Sequence, residues 1–171
     1  MSAGSTLSNL VLRTYGEQLI GSVGANMTIE HSVIEPADLS QPYLLDGLLP
    51  RWHANAIRLT KNTIRNFGRA NSDDKNTLLF ISRGETFFQQ NTFHNNDSES
   101  LIHVPSSSYL VVENNNFINN SSFLEIDSLP WRLNIQNNMF IDTPPAIQYS
   151  NATNISGSTD DCYSHSDILN R

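Results

Sequence analysis

Apolar and polar residues alternate with a period of two in many short runs of this chain, and the runs recur. Four ten-residue segments align without gaps: "IRLTKNTIRN" from Ile57, "TFFQQNTFHN" from Thr86, "LVVENNNFIN" from Leu110 and "LNIQNNMFID" from Leu133. Their starts lie 29, 24 and 23 residues apart, and a weaker copy, "MTIEHSVIEP", begins at Met27. The third position reads Leu59, Phe88, Val112, Ile135, and the eighth reads Ile64, Phe93, Phe117, Phe140. The sixth is always asparagine: Asn62, Asn91, Asn115, Asn138. The tenth is Asn66, Asn95, Asn119 or Asp142.

A second family sits between these segments. "TLLFIS" from Thr77, "SLIHVP" from Ser100, "SFLEID" from Ser122 and "PAIQYS" from Pro145 share apolar third and fifth positions. Alternation at every second residue predicts β-strands, since a helix would place apolar residues at three and four. Each unit of about 23 residues therefore holds two or three short strands separated by polar corners. No such unit buries its apolar face alone, so units must stack. The expected architecture is all-β: a right-handed parallel β-helix of about five to six coils, with each strand pairing in parallel with its copy in the next coil.

Asparagine is costly inside regular strands but tolerates the left-handed backbone region and bonds to nearby main chain. At the sixth position it is expected to serve the corners. Stacked coil upon coil, Asn62, Asn91, Asn115 and Asn138 would form a structural ladder, amide to amide. The apolar residue two positions later would fill the interior.

The pattern Φ-x-Φ-x-x-N-x-Φ is also the centre of a leucine-rich repeat. That repeat needs further leucines three residues before and after. Here those positions hold Ala54, Arg83, Ser107 and Pro130, then Phe67, Asn96, Asn120 and Thr143. The alternation of "NNNFINN" with "SLIHVPSSSYLVV" instead resembles the parallel β-helix repeats of the right-handed, pectin-lyase-like superfamily. The likeness covers residues 54–150 and, more weakly, 6–36. It implies a fold used by polysaccharide lyases, hydrolases, adhesins and structural proteins alike, so it does not imply one activity.

The β-helix is expected over residues 1–150, with insertions at 36–54 and 67–76, and a polar tail over 151–171. Composition narrows the function. With 171 residues and 38% hydrophobic content, the chain can build one real core. Its net charge of −7, without a Lys/Arg run, argues against nucleic acid and anionic membrane surfaces as partners. No stretch approaches the roughly 20 apolar residues of a membrane span. The N-terminus lacks the basic start of a signal peptide. N-x-[ST] sequons at Asn26, Asn96, Asn119, Asn120, Asn151 and Asn154 point to an extracellular or surface-exposed setting, although a chain rich in Asn and Ser forms sequons by chance. The single cysteine, Cys162, allows no internal disulfide.

Candidate chemistry lies on the outward columns. The fourth position of the second family reads Phe80, His103, Glu125, Gln148, and that of the first includes Glu113 and Gln136. These six are the candidate binding residues, and a polysaccharide is the ligand their polarity suggests. His103 and Glu125, one coil apart, are the candidate acid and base. The acidic residues Glu113, Asp127 and Asp142 do not concentrate on one column, so no metal site and no cofactor are expected. Leu78, Leu101, Phe123 and Ala146 form a column expected to point outward. An apolar outer stripe there would be an interface with another chain, unless the 36–54 insertion with Leu44, Leu45, Leu48 and Leu49 covers it. Trp52 and Trp131 are open to either sugar stacking or packing at corners.

Together these features lead to a non-catalytic structural or interaction module, with glycan binding and assembly with other chains, through coil ends or the outer stripe, as its expected roles. The alternative is a polysaccharide lyase or glycoside hydrolase domain of the same superfamily.

Overall fold

A computed structural model of the chain describes residues 4–14, 26–37, 56–68, 77–80, 84–104, 109–127, 130 and 132–149. The 36–54 insertion beyond Ala37, the greater part of the 67–76 loop, the 151–171 tail, Trp52 and Trp131 lie outside them. The described elements are all strands, arranged in three sheets whose members pair only in parallel.

The first sheet stacks Ser5–Ser8, Met27–Glu30, Ala56–Thr60, Glu85–Gln89, Tyr109–Glu113 and Arg132–Gln136. The second stacks Val11–Thr14, Val33–Pro36, Thr63–Arg65, Thr92–His94, Asn116–Ile118 and Met139–Ile141. The third stacks Thr77–Phe80, Ser100–Val104, Leu124–Ile126 and Ile147–Tyr149. Among the described residues the two six-stranded sheets record six coils, and from Ala56–Thr60 onward the chain visits all three sheets in turn. The register matches the repeat alignment: Ile57 faces Thr86, Thr86 faces Leu110, and Leu110 faces Leu133. The weak copy is in step as well, with Met27 against Ile57.

Two columns from the first and second sheets make up much of the interior, and residues of the third sheet such as Leu79, Ile102 and Leu124 complete it. Ile29, Leu59, Phe88 and Val112 are fully buried from the first sheet. From the second sheet come Ile34, Ile64, Phe93 and Phe117, likewise buried, with Phe140 partly buried at the last coil. The rings of Phe93, Phe117 and Phe140 lie nearly parallel, with centroids 4.9 and 5.0 Å apart. That spacing is the strand separation itself, since in-register pairing places identical side chains about 4.8 Å apart. Phe123 closes the stack edge-on against Phe117 and Phe140.

The corners divide two tasks that the sequence reading gave to one residue. The left-handed backbone belongs to the residue just before each ladder asparagine: His31, Lys61, Gln90, Asn114 and Asn137, with φ between 50° and 59°. Its N–H donates to the next coil, as Lys61 does to the Gln89 carbonyl and Asn114 to that of Gln136. The following asparagine turns its amide inward. Asn62, Asn91 and Asn115 each donate from Nδ2 to the Oδ1 of the next, ending at Asn138, over 3.0–3.1 Å. Each also donates to a carbonyl of the preceding coil, Asn115 to Phe88 O at 2.8 Å. Each Oδ1 in turn accepts a main-chain N–H, as that of Asn91 does from Asn62. In the weak copy the same place is held by Ser32, whose N–H donates to Asn62 Oδ1.

A second ladder, absent from the sequence reading, follows the next corner. Asn66, Asn95, Asn119 and Asp142 take the left-handed conformation there. The residues after them connect in the same way: Asn96 to Asn120, and Asn120 to the hydroxyl of Thr143. The signal was present in "NN" at 95–96 and 119–120. Phe67 and Thr143 at the equivalent positions hid it.

Replacing Asn115 by Leu removes one rung and leaves the Phe88 carbonyl and the Asn91 main-chain N–H without their partner, while Asn138 Oδ1 keeps the main-chain N–H at 115 and Asn91 Nδ2 keeps the Leu59 carbonyl. Each buried group so orphaned costs about 1–3 kcal/mol. We expect a loss of about 3 kcal/mol or more in urea unfolding. A loss below about 1 kcal/mol would mean that the ladder adds little to the stacking of the rings.

Candidate functional site

With the interior occupied by rings and amides, the chemistry falls to the outward columns, and each sheet carries a different set. The six candidate binding residues do not form one site. Glu113 and Gln136 are register neighbours on the first sheet, whereas Phe80, His103, Glu125 and Gln148 are successive register neighbours on the third.

On the third sheet His103 faces Glu125 directly across adjacent coils. Both are nearly buried, at 8% exposure. Asp127 follows Glu125 by two residues and so returns to the same face. Its main-chain N–H bonds to the Val104 carbonyl, which holds it beside the His103 rung. His103 Nε2 lies 3.0 Å from Asp127 Oδ2. One ligating atom from each of His103, Glu125 and Asp127 lies within 4.8 Å of the others. Asp127 was not grouped with His103 in the sequence reading because neither the repeat register nor a column links them. Only the return of the strand to the same face does.

The apolar stripe is a correction. Leu78, Leu101 and Phe123 are 0–1% exposed and belong to the chain's own core. Alternation separates the two faces of a strand, but it predicts exposure only where one face meets water. Phe123 precedes its strand and turns its ring inward against Phe117 and Phe140. The strand Ser100–Val104, which includes Leu101, is buried at all of its positions. An interface cannot be built on these three residues.

On the first sheet, outward residues of four coils form a strip. The Arg58 guanidinium sits 3.9 Å over the Phe87 ring. Phe87 meets Tyr109 at 5.6 Å, and Arg132 lies 5.5 Å over Tyr109. Beside this strip Glu113 accepts hydrogen bonds from Gln89, Asn134 and Gln136, between 2.6 and 3.2 Å. The sequence reading took Glu113 and Gln136 from this set but missed Phe87 and Tyr109. They sit two residues out of register, Phe87 opposite Val111 and Tyr109 opposite Glu85, so the alignment gave no sign that their rings meet.

On the second sheet Arg13, Glu35 and Arg65 follow one another up the stack. Glu35 bonds to Arg13 at 3.1 Å and to Arg65 at 2.8 and 3.0 Å. The hydrogen bond from Arg65, then that from Arg13, holds the Glu35 carboxyl below its usual value of 4.5. Of the sequons, Asn96 and Asn120 are buried and engaged in the second ladder, whereas Asn26 and Asn119 are exposed. Asn151 and Asn154 lie outside the described residues.

A family model described as a right-handed beta helix region matches residues 3–162. No curated protein and no solved structure matches the chain.

A carboxyl held below its ordinary value stabilises the fold above that value and loses its contribution as pH falls through the lowered one. Glu35→Gln should therefore unfold at lower urea than the parent at neutral pH, and the gap should close well below pH 4.5. Both arginines are substantially exposed, so added salt should narrow the neutral-pH gap as well. Equal midpoints at neutral pH and low salt would show that the column contributes nothing.

Proposed function

We propose, from the premise that this chain belongs to the right-handed β-helix family, that it is a non-catalytic interaction module that binds an extended glycan along its first sheet. The observation that carries this reading is the strip of Arg58, Phe87, Tyr109 and Arg132, bordered by the amides around Glu113. Aromatic rings offer an apolar face to the C–H side of a sugar ring, and amides and carboxylates take its hydroxyls. The strip runs along the stack, so its repeat suits a polymer better than a single small molecule. The two guanidinium groups favour a sugar that carries carboxylate or sulfate groups. Glu113 is bonded on both oxygens by three amides, an arrangement that suits a positioning acceptor better than an acid–base catalyst.

The alternative, a polysaccharide lyase or hydrolase, draws its support from the third sheet. His103 pairs with Asp127 beside Glu125, and such a set can move a proton. The two readings separate by product. A lyase or hydrolase releases new chain ends from a polysaccharide and loses that activity in His103→Ala. A binding module retains the polymer unchanged. Association between chains through coil ends is supported by exposed Met139 and Ile141 on the last described coil. Light scattering across a concentration series tests it separately.

In affinity electrophoresis, migration through a gel containing polyuronate should be retarded and migration through a neutral glucan much less so. Tyr109→Ala removes one aromatic contact worth about 1.5 kcal/mol, so affinity should fall roughly tenfold. Unaltered retardation in Tyr109→Ala and Phe87→Ala would overturn the assignment of the first sheet as the binding face.

A further inference from the structure

We infer that His103, Glu125 and Asp127 form a binding site for one divalent transition-metal ion of the zinc class on the third sheet. The site is separate from the glycan face and does not depend on it.

The argument starts from the donor set. One imidazole nitrogen and two carboxylate oxygens converge, each atom within 4.8 Å of the others. Around a tetrahedral ion with bonds of 2.0–2.1 Å, neighbouring ligand atoms stand roughly 3.3 Å apart. The His103 Nε2 to Asp127 Oδ2 distance of 3.0 Å is already near that value. Side-chain rotation alone closes the rest, because the backbone positions are set by in-register pairing of His103 with Glu125 and by the Asp127 N–H to Val104 carbonyl bond. The three donors leave a fourth position for water or a ligand.

Burial and charge support the same assignment. His103 and Glu125 are both more than nine-tenths buried, and two carboxylates face a single imidazole within the cluster. Along the third sheet Glu125 has His103 in the coil on one side and Gln148 in the coil on the other, so stacking holds the imidazole and the carboxylate at one register. Access exists on the Asp127 side, whose side chain is 26% exposed. The donor chemistry selects the ion. Imidazole with carboxylate suits zinc and its neighbours, whereas calcium takes six to eight oxygens and seldom an imidazole.

The test uses the full chain, stripped with chelator and dialysed, then titrated calorimetrically with ZnCl2, CaCl2 and MgCl2. We expect one Zn2+ per chain and no comparable heat from Ca2+ or Mg2+. With Zn2+ at a hundredfold excess over Kd, the unfolding midpoint should rise by about 5–10 °C. Asp127→Asn and His103→Gln should each weaken Zn2+ at least tenfold, as loss of one of three ligands requires. Circular dichroism of each variant shows whether it folds. If either variant does not fold, Co2+ loaded into the parent chain decides instead: the d–d absorption of a four- or five-coordinate nitrogen–oxygen site supports the proposal, and the spectrum of hexaaquo Co2+ overturns it. Zn2+ binding unchanged in both folded variants, absence of Zn2+ binding, or a preference for Ca2+ would each overturn it.

Discussion

Parallel in-register pairing is the constraint on which everything else in this molecule rests. Each coil must present its backbone groups at the height and spacing of the next, and within the strands this is automatic. It fails first at the corners, where the chain turns and main-chain N–H and C=O groups point into a closed interior. An amide side chain meets that need because it both donates and accepts. Asn91 donates to the Leu59 carbonyl and to Asn115 Oδ1, while its own Oδ1 accepts from Asn62. Each rung therefore satisfies the coil on either side, and the rungs are worth more as a column than singly.

The division of labour at each corner follows from the same geometry. A sharp turn between two sheets takes one residue in the left-handed region, which costs an ordinary side chain of order 1–2 kcal/mol. Asparagine pays least, yet Lys61, Gln90 and His31 occupy this place too. Their tolerance shows that stacking and the N–H bond to the next coil outweigh the local penalty. The asparagine is needed one residue later, where the side chain rather than the backbone conformation matters.

Because the interior carries the repeat, the outside is free to vary. One outward column couples Arg13, Glu35 and Arg65, another aligns guanidinium groups with rings, and a third gathers an imidazole with two carboxylates. Stacking converts identical repeat positions into neighbours about 4.8 Å apart. Any two outward residues of compatible chemistry, one coil apart, thus become a contact without a dedicated loop to hold them. This is how a scaffold of one internal design sets guanidinium groups over rings on one sheet and an imidazole beside two carboxylates on another.

The alternation and the spacing of the asparagines were sufficient, read by themselves, to determine the strand type, the parallel register and the ladder residues Asn62, Asn91, Asn115 and Asn138. A repeat is a statement about which residues are stacked, and parallel strands carry it without loss. The pairing of His103 with Glu125 was legible for the same reason. Tertiary structure decided what lies at the corners and between columns. Leu78, Leu101 and Phe123 were expected outside and are buried: Phe123 lies before its strand and turns inward, whereas Leu78 and Leu101 sit in strands whose successive residues are buried on both faces. Asp127 joins His103, and Phe87 meets Tyr109, through contacts between positions of different rank in the repeat. A one-dimensional period orders residues along the stack, but it carries no information about how far side chains reach across columns or how the chain turns, and those bring unlike columns together.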